Sequence, residues 1–184
     1  MQSLFSNLTF PNGKIARNRF LLAPLTNMQS PDDGKLSNDE FNWLTKRAEG
    51  EFGVIMTCAM PVLQSGIGWE GQLGIYKDKH DAGHVKLNKK IHQLGSLSIA
   101  QLFHAGMRAN ERYSNEKVGA SDNVEKGTRE LSLIEINDLK DAFVSSSIRA
   151  QECNYDGVEF HAAHGYLISQ FLSSKYNKRT DRYG

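Results

Sequence analysis

A cluster of polar, titratable side chains follows one short predicted strand. Residues 156–160 have the apolar alternation and flanking turn residues of a strand, and residues 167–172 are typical of a short helix. Between these two segments stand His161, His164 and Tyr166. In a parallel α/β protein, the loops beyond the carboxyl ends of the strands form the rim of the active site. The stretch therefore predicts a parallel α/β fold with its chemistry at that rim.

The spacing of His161, His164 and Tyr166 leaves three interpretations open. Two imidazoles three residues apart can lie on one face of a helical turn with the phenol close by, and the three groups can then bind one small molecule. They can equally be structural groups whose hydrogen bonds are satisfied. A zinc site needs further protein ligands, and the nearby sequence has no Cys-x-x-Cys or His-Glu-x-x-His pattern. We therefore expect no metal here.

Three earlier segments predict the other strands of the sheet. Residues 19–26 form a nearly continuous apolar run, which suits a strand buried on both faces and ending at the Thr26 hydroxyl. Residues 54–61 are a second strand, and residues 96–106 are a third that contains Gln101. An unpaired buried amide costs roughly 1–3 kcal/mol. Gln101 therefore needs a partner, and a hydrogen bond to the backbone would serve.

A hairpin, three helices and a loop complete the predicted order. The Asn12-Gly13 step supplies the positive φ values of a tight hairpin between two apolar runs. Two of the helices open with the Ser-x-x-Glu pattern of a capping box, Ser37 with Glu40 and Ser132 with Glu135. The predicted helices cover residues 37–51, 79–94 and 132–153, and a long polar loop covers residues 108–132.

His80 and His84 lie four residues apart on the second predicted helix. Two histidines at this spacing can chelate a metal weakly, but no third ligand is evident nearby. We therefore expect both imidazoles on a solvated helix face.

The composition excludes several classes of function. A formal net charge of +1 gives no electrostatic reason to expect nucleic acid or an anionic membrane as a partner. The first residues lack the pattern of a secretory signal, and no apolar run approaches the length of a membrane span. Cys58 and Cys153 lie far apart and make no disulfide framework. We expect a cytoplasmic protein with two free thiols.

The length of the chain limits how many strand-helix units it can contain. A complete (β/α)8 barrel typically needs about 250 residues. The chain has 184 residues, which is too few for all eight strand-helix units.

The segment 156–184, DGVEFHAAHGYLISQFLSSKYNKRTDRYG, resembles the active-site signature of the Old Yellow Enzyme family of FMN-dependent oxidoreductases. The Ala-Pro-Leu-Thr motif at 23–26 and the Ala-Gln-Leu-Phe-His-Ala-Gly motif at 100–106 resemble two other strand ends of that family. The resemblance covers essentially the whole chain. It implies an α/β fold, the N-terminal half of a (β/α)8 TIM barrel with an N-terminal β-hairpin. Residues 1–184 would be a single FMN-binding domain, truncated after about the fourth strand.

The resemblance also implies which residues bind the cofactor FMN. Thr26 stands at the position that hydrogen-bonds the isoalloxazine ring, beside Pro24 and Leu25 in the first flavin-contacting segment. Ala59 is carried over as a further contact, and Gln101 stands where the family binds the pyrimidine edge of FMN. The loops that bind the FMN phosphate in the family follow its last two strands, beyond the part that this chain resembles.

For the substrate, the resemblance implies that His161 and His164 hold the carbonyl oxygen and that Tyr166 is the catalytic proton donor. The implied function is an FMN-dependent oxidoreductase of the ene-reductase type, which takes hydride from NADH or NADPH and reduces α,β-unsaturated carbonyl compounds. The family commonly has arginine directly after the glycine of its third-strand motif, whereas here Met107 precedes Arg108.

Two other functions remain as alternatives. The chain can be a non-catalytic, truncated half-barrel that needs a second polypeptide for activity, because four strands of an eight-stranded barrel leave strand edges unpaired. The expected partners are therefore a small enone-type substrate and either the missing C-terminal half or other copies of the chain. A metal-dependent hydrolase that uses His104, His161 and His164 is the more distant alternative.

Overall fold

The computed structural model describes residues 3–184, in which short strands alternate with helices. The strands are β1 (Leu8–Thr9), β2 (Ile15–Ala16), β3 (Leu21–Leu22), β4 (Val54–Pro61), β5 (Leu97–Phe103), β6 (Lys117–Gly119), β7 (Thr128–Glu130) and β8 (Gly157–Phe160). The α-helices are α1 (Asn38–Glu49), α2 (Asp81–Gln93), α3 (Leu133–Glu152) and α4 (Leu167–Phe171). Single turns of 3-10 helix occupy Gln64–Gly66, Asp78–His80, Gly106–Arg108 and Val124–Lys126.

A four-stranded parallel sheet in the order β3-β4-β5-β8 forms the centre of the fold. Each strand is followed along the chain by a helix, and α1 and α2 bury Leu44, Leu87 and Ile91 against Leu22 and Ile55 of the sheet. The carboxyl ends of all four strands therefore lie at one rim. The prediction of a parallel α/β fold is confirmed.

The inner and outer strands of the sheet differ in burial. All eight residues of β4 are buried, as its continuous apolar composition predicts for a strand covered on both faces. Within residues 3–184, the outer strands β3 and β8 each pair with one neighbour, and Leu21, Val158 and Phe160 are exposed on them. The apolar surface of the sheet is therefore open at both sides.

The hairpin and the first strand are shorter than predicted. β1 and β2 pair antiparallel around a turn in which Gly13 has φ +83°, so the Asn-Gly signal located the hairpin correctly. The predicted strand 19–26 is reduced to Leu21–Leu22. β3 has a single neighbour to pair with, and Pro24 has no N–H to donate to that neighbour.

One of the two predicted capping boxes forms in full. At α3, the Ser132 hydroxyl accepts from the Glu135 N–H, and the Glu135 carboxylate accepts from the Ser132 N–H at 2.7 Å. At α1, the Ser37 hydroxyl accepts from the Glu40 N–H at 3.0 Å, but the Glu40 side chain does not bond back. The Glu40 carboxylate is instead fully buried in the fold, so the prediction of a second reciprocal box is wrong.

The predicted solvated histidine face on the second helix is wrong. His80 and His84 are both buried. The two ring nitrogens of His84 lie 2.9 Å from the Tyr155 hydroxyl and 2.9 Å from the Gly74 carbonyl oxygen, and the ring of His80 contacts the Asp33 carbonyl oxygen at 3.0 Å. Helical periodicity does not reveal that a loop covers this face, which is why the sequence pattern misled.

The predicted long loop at 108–132 contains regular structure. β6 and β7 pair in parallel within it, with Lys117 opposite Thr128 and Gly119 opposite Glu130. Arg179 fastens this small sheet to the last described residues, since its guanidinium donates to the Ala120 and Leu131 carbonyl oxygens at 3.0 and 2.7 Å.

Both cysteines are free and buried, as the sequence predicts. Burial raises the pKa of Cys58 well above its ordinary value and that of Cys153 to about 11, so neither thiol is an available nucleophile at neutral pH. Within residues 3–184, no helix combines the length and the apolar composition that a membrane crossing needs.

The buried imidazole of His84 predicts a loss of stability in mild acid. Desolvation lowers the pKa of His84 from 6.5 to about 4. Between these values the unfolded chain takes up a proton that the folded chain does not, so the free energy of unfolding falls as the pH drops. The slope is about 1.4 kcal/mol per pH unit for this one group, and the stability it contributes is fully present above pH 6.5. Denaturant unfolding at several pH values measures it.

His84→Gln is the matched variant for this measurement. It removes the titrating group while keeping a side chain that can hydrogen-bond, so the slope between pH 6.5 and 4 should decrease by about 1.4 kcal/mol per unit. An unchanged slope would show that another group causes the acid sensitivity.

Candidate active site

Three side chains form a row across the sheet near the carboxyl ends of the strands. Ala59 of β4 pairs with Gln101 of β5, and Gln101 pairs with Glu159 of β8. Paired residues of neighbouring parallel strands direct their side chains to the same face of the sheet. Ala59 and Gln101 are buried, whereas Glu159 is exposed.

Gln101 has a side-chain partner that the sequence did not suggest. Its Nε2 donates to the Glu159 carboxylate at 2.6 Å, and its backbone N–H donates to the Thr57 hydroxyl at 3.2 Å. The alternative of a bond from the Gln101 side chain to the backbone is not the one that forms. Its Oε1 forms no hydrogen bond with a described residue, and this oxygen is not fully shielded from solvent although the side chain is only 5% exposed. The Oε1 acceptor is therefore available at the rim.

The stretch from His161 to Tyr166 is a tight loop rather than the predicted helical turn. His164 and Gly165 adopt left-handed conformations, with φ +57° and +71°. The loop nevertheless brings the three rings together, because the His161 ring centroid lies 5.1 Å from that of His164 and 5.1 Å from that of Tyr166. The predicted convergence is present, although a different backbone conformation produces it.

The contacts of His161 define its tautomer. Its backbone N–H continues the sheet by donating to the Leu102 carbonyl oxygen at 2.9 Å, and its Nδ1 accepts from the Ala163 N–H at 3.2 Å. Desolvation lowers the pKa of His161, and electrostatic repulsion from the neighbouring His164 ring lowers it further. At neutral pH the ring is therefore neutral, with the proton on Nε2 as a donor.

Aromatic and cationic contacts hold the Tyr166 ring in place. The ring packs edge-to-face on Phe103 at 4.6 Å and lies 6.4 Å from the Trp69 ring. The Arg108 guanidinium lies 5.0 Å from the centre of the Tyr166 ring and donates to the His164 carbonyl oxygen at 2.7 Å. Arg108 therefore reaches the site although Met107 displaces it by one position from the family pattern.

Gln170 of α4 ties the loops of the site together. It is fully buried, with Nε2 donating to the Ala105 and Gly165 carbonyl oxygens and Oε1 accepting from the Met107 N–H. Gly106 adopts φ +60°, and a Cβ there would lie 2.5 Å from Gln170 Oε1. Only glycine lets the chain pass this close to the amide.

The predicted flavin segment after β3 stands apart from the histidine loop. Leu25 and Thr26 are exposed, and no hydrogen bond joins Pro24, Leu25 or Thr26 to residues 161–166. The residues that follow are anchored through the buried Glu40 carboxylate, which accepts from Asn27 at 2.9 Å, Ser30 at 2.6 Å and Cys58 at 3.2 Å.

The metal-dependent hydrolase alternative needs a set of metal ligands, and the described part of the chain contains none. Within residues 3–184, no group of three or more His, Cys, Asp and Glu side chains is arranged to hold a metal ion. His104 is buried, its Nδ1 accepts from the Gly106 N–H at 3.0 Å, and desolvation lowers its pKa to about 4.

Several residues of the site had no role in the sequence analysis, among them Trp69, Arg108, Glu159 and Gln170. Glu159 was the one a pattern could have revealed. Strand alternation places Glu159 and His161 on one face, and a polar partner for Gln101 was to be expected on a neighbouring strand. Trp69 and Arg108 come from loops, where no periodicity indicates which side chains meet.

A parallel sheet with its polar groups gathered beyond the carboxyl ends of the strands is the arrangement of an α/β-barrel enzyme. The chain belongs to the NADH:flavin oxidoreductase / NADH oxidase family, whose pattern matches residues 3–184. The four central strands and their helices correspond to the N-terminal half of the (β/α)8 barrel of that family.

Similar proteins show both the likeness and its extent. A probable NADH-dependent flavin oxidoreductase, YqiG of Bacillus subtilis, is 36% identical, and the match covers 98% of this chain and 50% of YqiG. An NADH:acrylate oxidoreductase of Vibrio harveyi is 33% identical over 100% of this chain and 19% of its own length. The structure of the old yellow enzyme homologue from Zymomonas mobilis superposes with a TM-score of 0.91 at 30% identity, covering 100% of this chain and 55% of that one.

The chain therefore spans about half the length of several relatives that it matches. Family membership implies FMN and a nicotinamide reductant as cofactors. The residues at the rim fit such a group, because the free Oε1 of Gln101 offers an acceptor to a ring N–H and the small side chain of Ala59 lies beside Gln101 in the same row of the sheet.

The hydrogen bonds of the buried Glu40 carboxylate predict that this residue holds the segment after β3, residues 24–30, in place. Glu40→Ala removes the acceptor for Asn27, Ser30 and Cys58, and buried donors left unpaired are costly. The free energy of unfolding should fall by about 3 kcal/mol. The amides of residues 25–30 should also exchange hydrogen faster, which mass spectrometry measures.

Glu49→Ala is the control, because Glu49 is exposed on the same helix. It should change the stability by no more than about 0.5 kcal/mol. Unchanged exchange over residues 25–30 in Glu40→Ala would show that the segment is held by other contacts.

Proposed function

We propose that this chain forms the N-terminal half of an FMN-dependent NAD(P)H oxidoreductase that reduces α,β-unsaturated carbonyl compounds. The observation that most supports the proposal is the convergence of His161, His164 and Tyr166 beside the free acceptor of Gln101. Residues 1–184 constitute one FMN-binding domain in this proposal, completed by strands that lie outside it.

The cofactor contacts follow the rim of the sheet. Gln101 binds the pyrimidine edge and the small Ala59 side chain lets the ring approach. The segment of Pro24, Leu25 and Thr26, of which Leu25 and Thr26 are exposed, lies along the ring, with the Thr26 hydroxyl as a hydrogen-bonding group. When bound, FMN supplies the hydride that it has received from NADH or NADPH.

The two histidines hold the carbonyl oxygen of the substrate. His161 donates from Nε2, since its Nδ1 is occupied by the Ala163 N–H, and His164 stands 5.1 Å away, ring to ring, to supply a second contact. Donors aimed at an oxygen that gains negative charge stabilise the transition state more than the ground state. One such donor contributes roughly 3 to 4 kcal/mol to lowering the barrier.

Tyr166 donates the proton that completes the reduction at the α-carbon. Its ring is held by Phe103 and by the guanidinium of Arg108, so the phenol keeps a defined direction relative to the two imidazoles. A positioned acid of this kind accelerates proton transfer by a factor of roughly 10² to 10⁴.

The substrate class is supported by one named relative. The Vibrio harveyi protein is called an NADH:acrylate oxidoreductase, and acrylate has a carbon-carbon double bond conjugated to a carboxylate. A donor pair at a carbonyl oxygen combined with a phenol beyond it suits the same arrangement of groups.

The open sides of the sheet support completion by a second half-barrel. Leu21 and Leu25 are 45% and 52% exposed at the β3 side, and Val158 and Phe160 are 38% and 51% exposed at the β8 side. Apolar side chains on unpaired strand edges are typical of surfaces that another polypeptide covers. The missing C-terminal half is the partner that we propose, and a half-barrel without activity of its own is the alternative if none joins it.

Tyr166→Phe tests the catalytic assignment in a form of the protein that contains both halves. The variant keeps the ring and its packing on Phe103 but loses the proton donor. Oxidation of the reduced flavin by an enone should slow by a factor of roughly 10² or more, whereas reduction by the nicotinamide should stay nearly unchanged. Stopped-flow absorbance separates the two half-reactions.

His164→Ala is the comparison variant. It should weaken the binding of phenols and enones together, because both place an oxygen on the histidine pair. The proton-donor role would be wrong if Tyr166→Phe slowed reduction by the nicotinamide alone.

The flavin should bind to the 184-residue chain weakly. The rim supplies contacts to the ring, whereas the resemblance places the phosphate-binding loops in the other half. We expect FMN titration to give saturable binding that gel filtration does not preserve. Stoichiometric FMN after gel filtration would show that the ring contacts suffice.

A further inference from the structure

We propose that Glu159 is a positioning residue that sets the orientation of the Gln101 amide, so that its carbonyl oxygen and one N–H face the flavin. This inference rests on the proposed function. It assigns to an acidic side chain on the fourth strand of the central sheet a role that neither the sequence motif nor family membership supplies.

The argument begins with the chemistry of the contact. A primary amide can sit in two orientations related by a half-turn, which exchange its oxygen and its NH₂ group. A carboxylate only accepts hydrogen bonds. At 2.6 Å from Glu159 Oε1, the atom of Gln101 must therefore be Nε2, and the opposite orientation would bring two oxygens together. The carboxylate thus selects one of the two orientations.

The selected orientation complements a flavin. Gln101 Oε1 has no partner among the described residues, and the amide retains a second N–H. The pyrimidine edge of a flavin presents an N–H between two carbonyl oxygens, so it requires an acceptor and a donor side by side. The free oxygen and the second N–H of Gln101 provide that pair.

The sheet keeps the two side chains in register. Gln101 and Glu159 are directly paired on neighbouring parallel strands. Glu159 precedes His161, the first residue of the histidine loop, by two residues. The negative charge of Glu159 also acts on His161, where it opposes the desolvation that lowers the pKa of that imidazole. One carboxylate therefore faces the residue proposed to bind flavin and a residue proposed to bind substrate.

The competing explanation is that the pair only stabilises the sheet, as cross-strand polar pairs often do. The two explanations differ in what flavin binding should show. If the pair only stabilises the sheet, its loss changes the free energy of unfolding alone. If it positions Gln101, its loss also lowers the affinity of the folded protein for FMN.

The experiment compares Glu159→Ala and Glu159→Gln with the unmodified chain. Glu125→Ala serves as the control, because Glu125 is exposed and lies far from Glu159 in the chain, on the 3-10 turn after β6. The first readout is the side-chain amide signal of Gln101 in ¹⁵N-labelled protein without flavin, assigned by its absence in Gln101→Leu. The second is the affinity for added FMN, measured by fluorescence titration.

We expect one Gln101 amide proton of the unmodified chain to be displaced by the carboxylate, and to return to the ordinary glutamine range in Glu159→Ala. FMN affinity should fall about tenfold in Glu159→Ala and less in Glu159→Gln, which offers an oxygen in one of its own two orientations. Glu125→Ala should change neither readout.

Two results would overturn the inference. One is a Gln101 signal that Glu159→Ala leaves in place, and the other is equal FMN affinity in Glu159→Ala and the unmodified chain. If the amide signal responds as expected but the unmodified chain takes up no FMN, the prediction that the 184-residue chain binds the flavin ring fails, while the orientation of Gln101 by Glu159 stands.

Discussion

The parallel pairing of β4, β5 and β8 is the constraint on which the rest of the structure depends. Parallel strands end at a common rim, so residues far apart in the chain, such as Ala59, Gln101 and Glu159, come to lie in one row. The hydrogen bond from His161 N–H to the Leu102 carbonyl oxygen extends that pairing into the histidine loop. The position of the site is therefore a consequence of the backbone ladder.

Buried polar side chains then give the loops their shape. Gln170 holds the turn after β5 against the histidine loop, and Glu40 holds the segment after β3 against β4 through Cys58. His84 joins the loop at Gly74 to the end of the third helix through Tyr155. Each is fully buried with partners from separate parts of the chain, so loss of one such group would release a loop.

The errors in the sequence analysis share one physical origin. Glu40 and His84 are polar residues on helices and His80 directly precedes one, and local patterns assign such residues to caps or to solvent. In the fold, segments outside those helices cover them and supply hydrogen-bond partners, which include Cys58, Asp33 and Tyr155. The histidine loop shows the same limit, because the left-handed turn at His164 is held by Arg108, which lies 56 residues away.

The sequence by itself determined the order of the central strands and the helices between them, the parallel α/β class and the presence of His161, His164, Tyr166 and Gln101 near strand ends. The alternation of apolar residues, the helical period, the capping residues and one long motif are local signals, so they can be read from the sequence without knowledge of the fold. Only the tertiary structure decided which polar groups meet. The pairing of Gln101 with Glu159 and the burial of Glu40 and His84 depend on contacts between distant segments, and their free energy exists only once the sheet has formed.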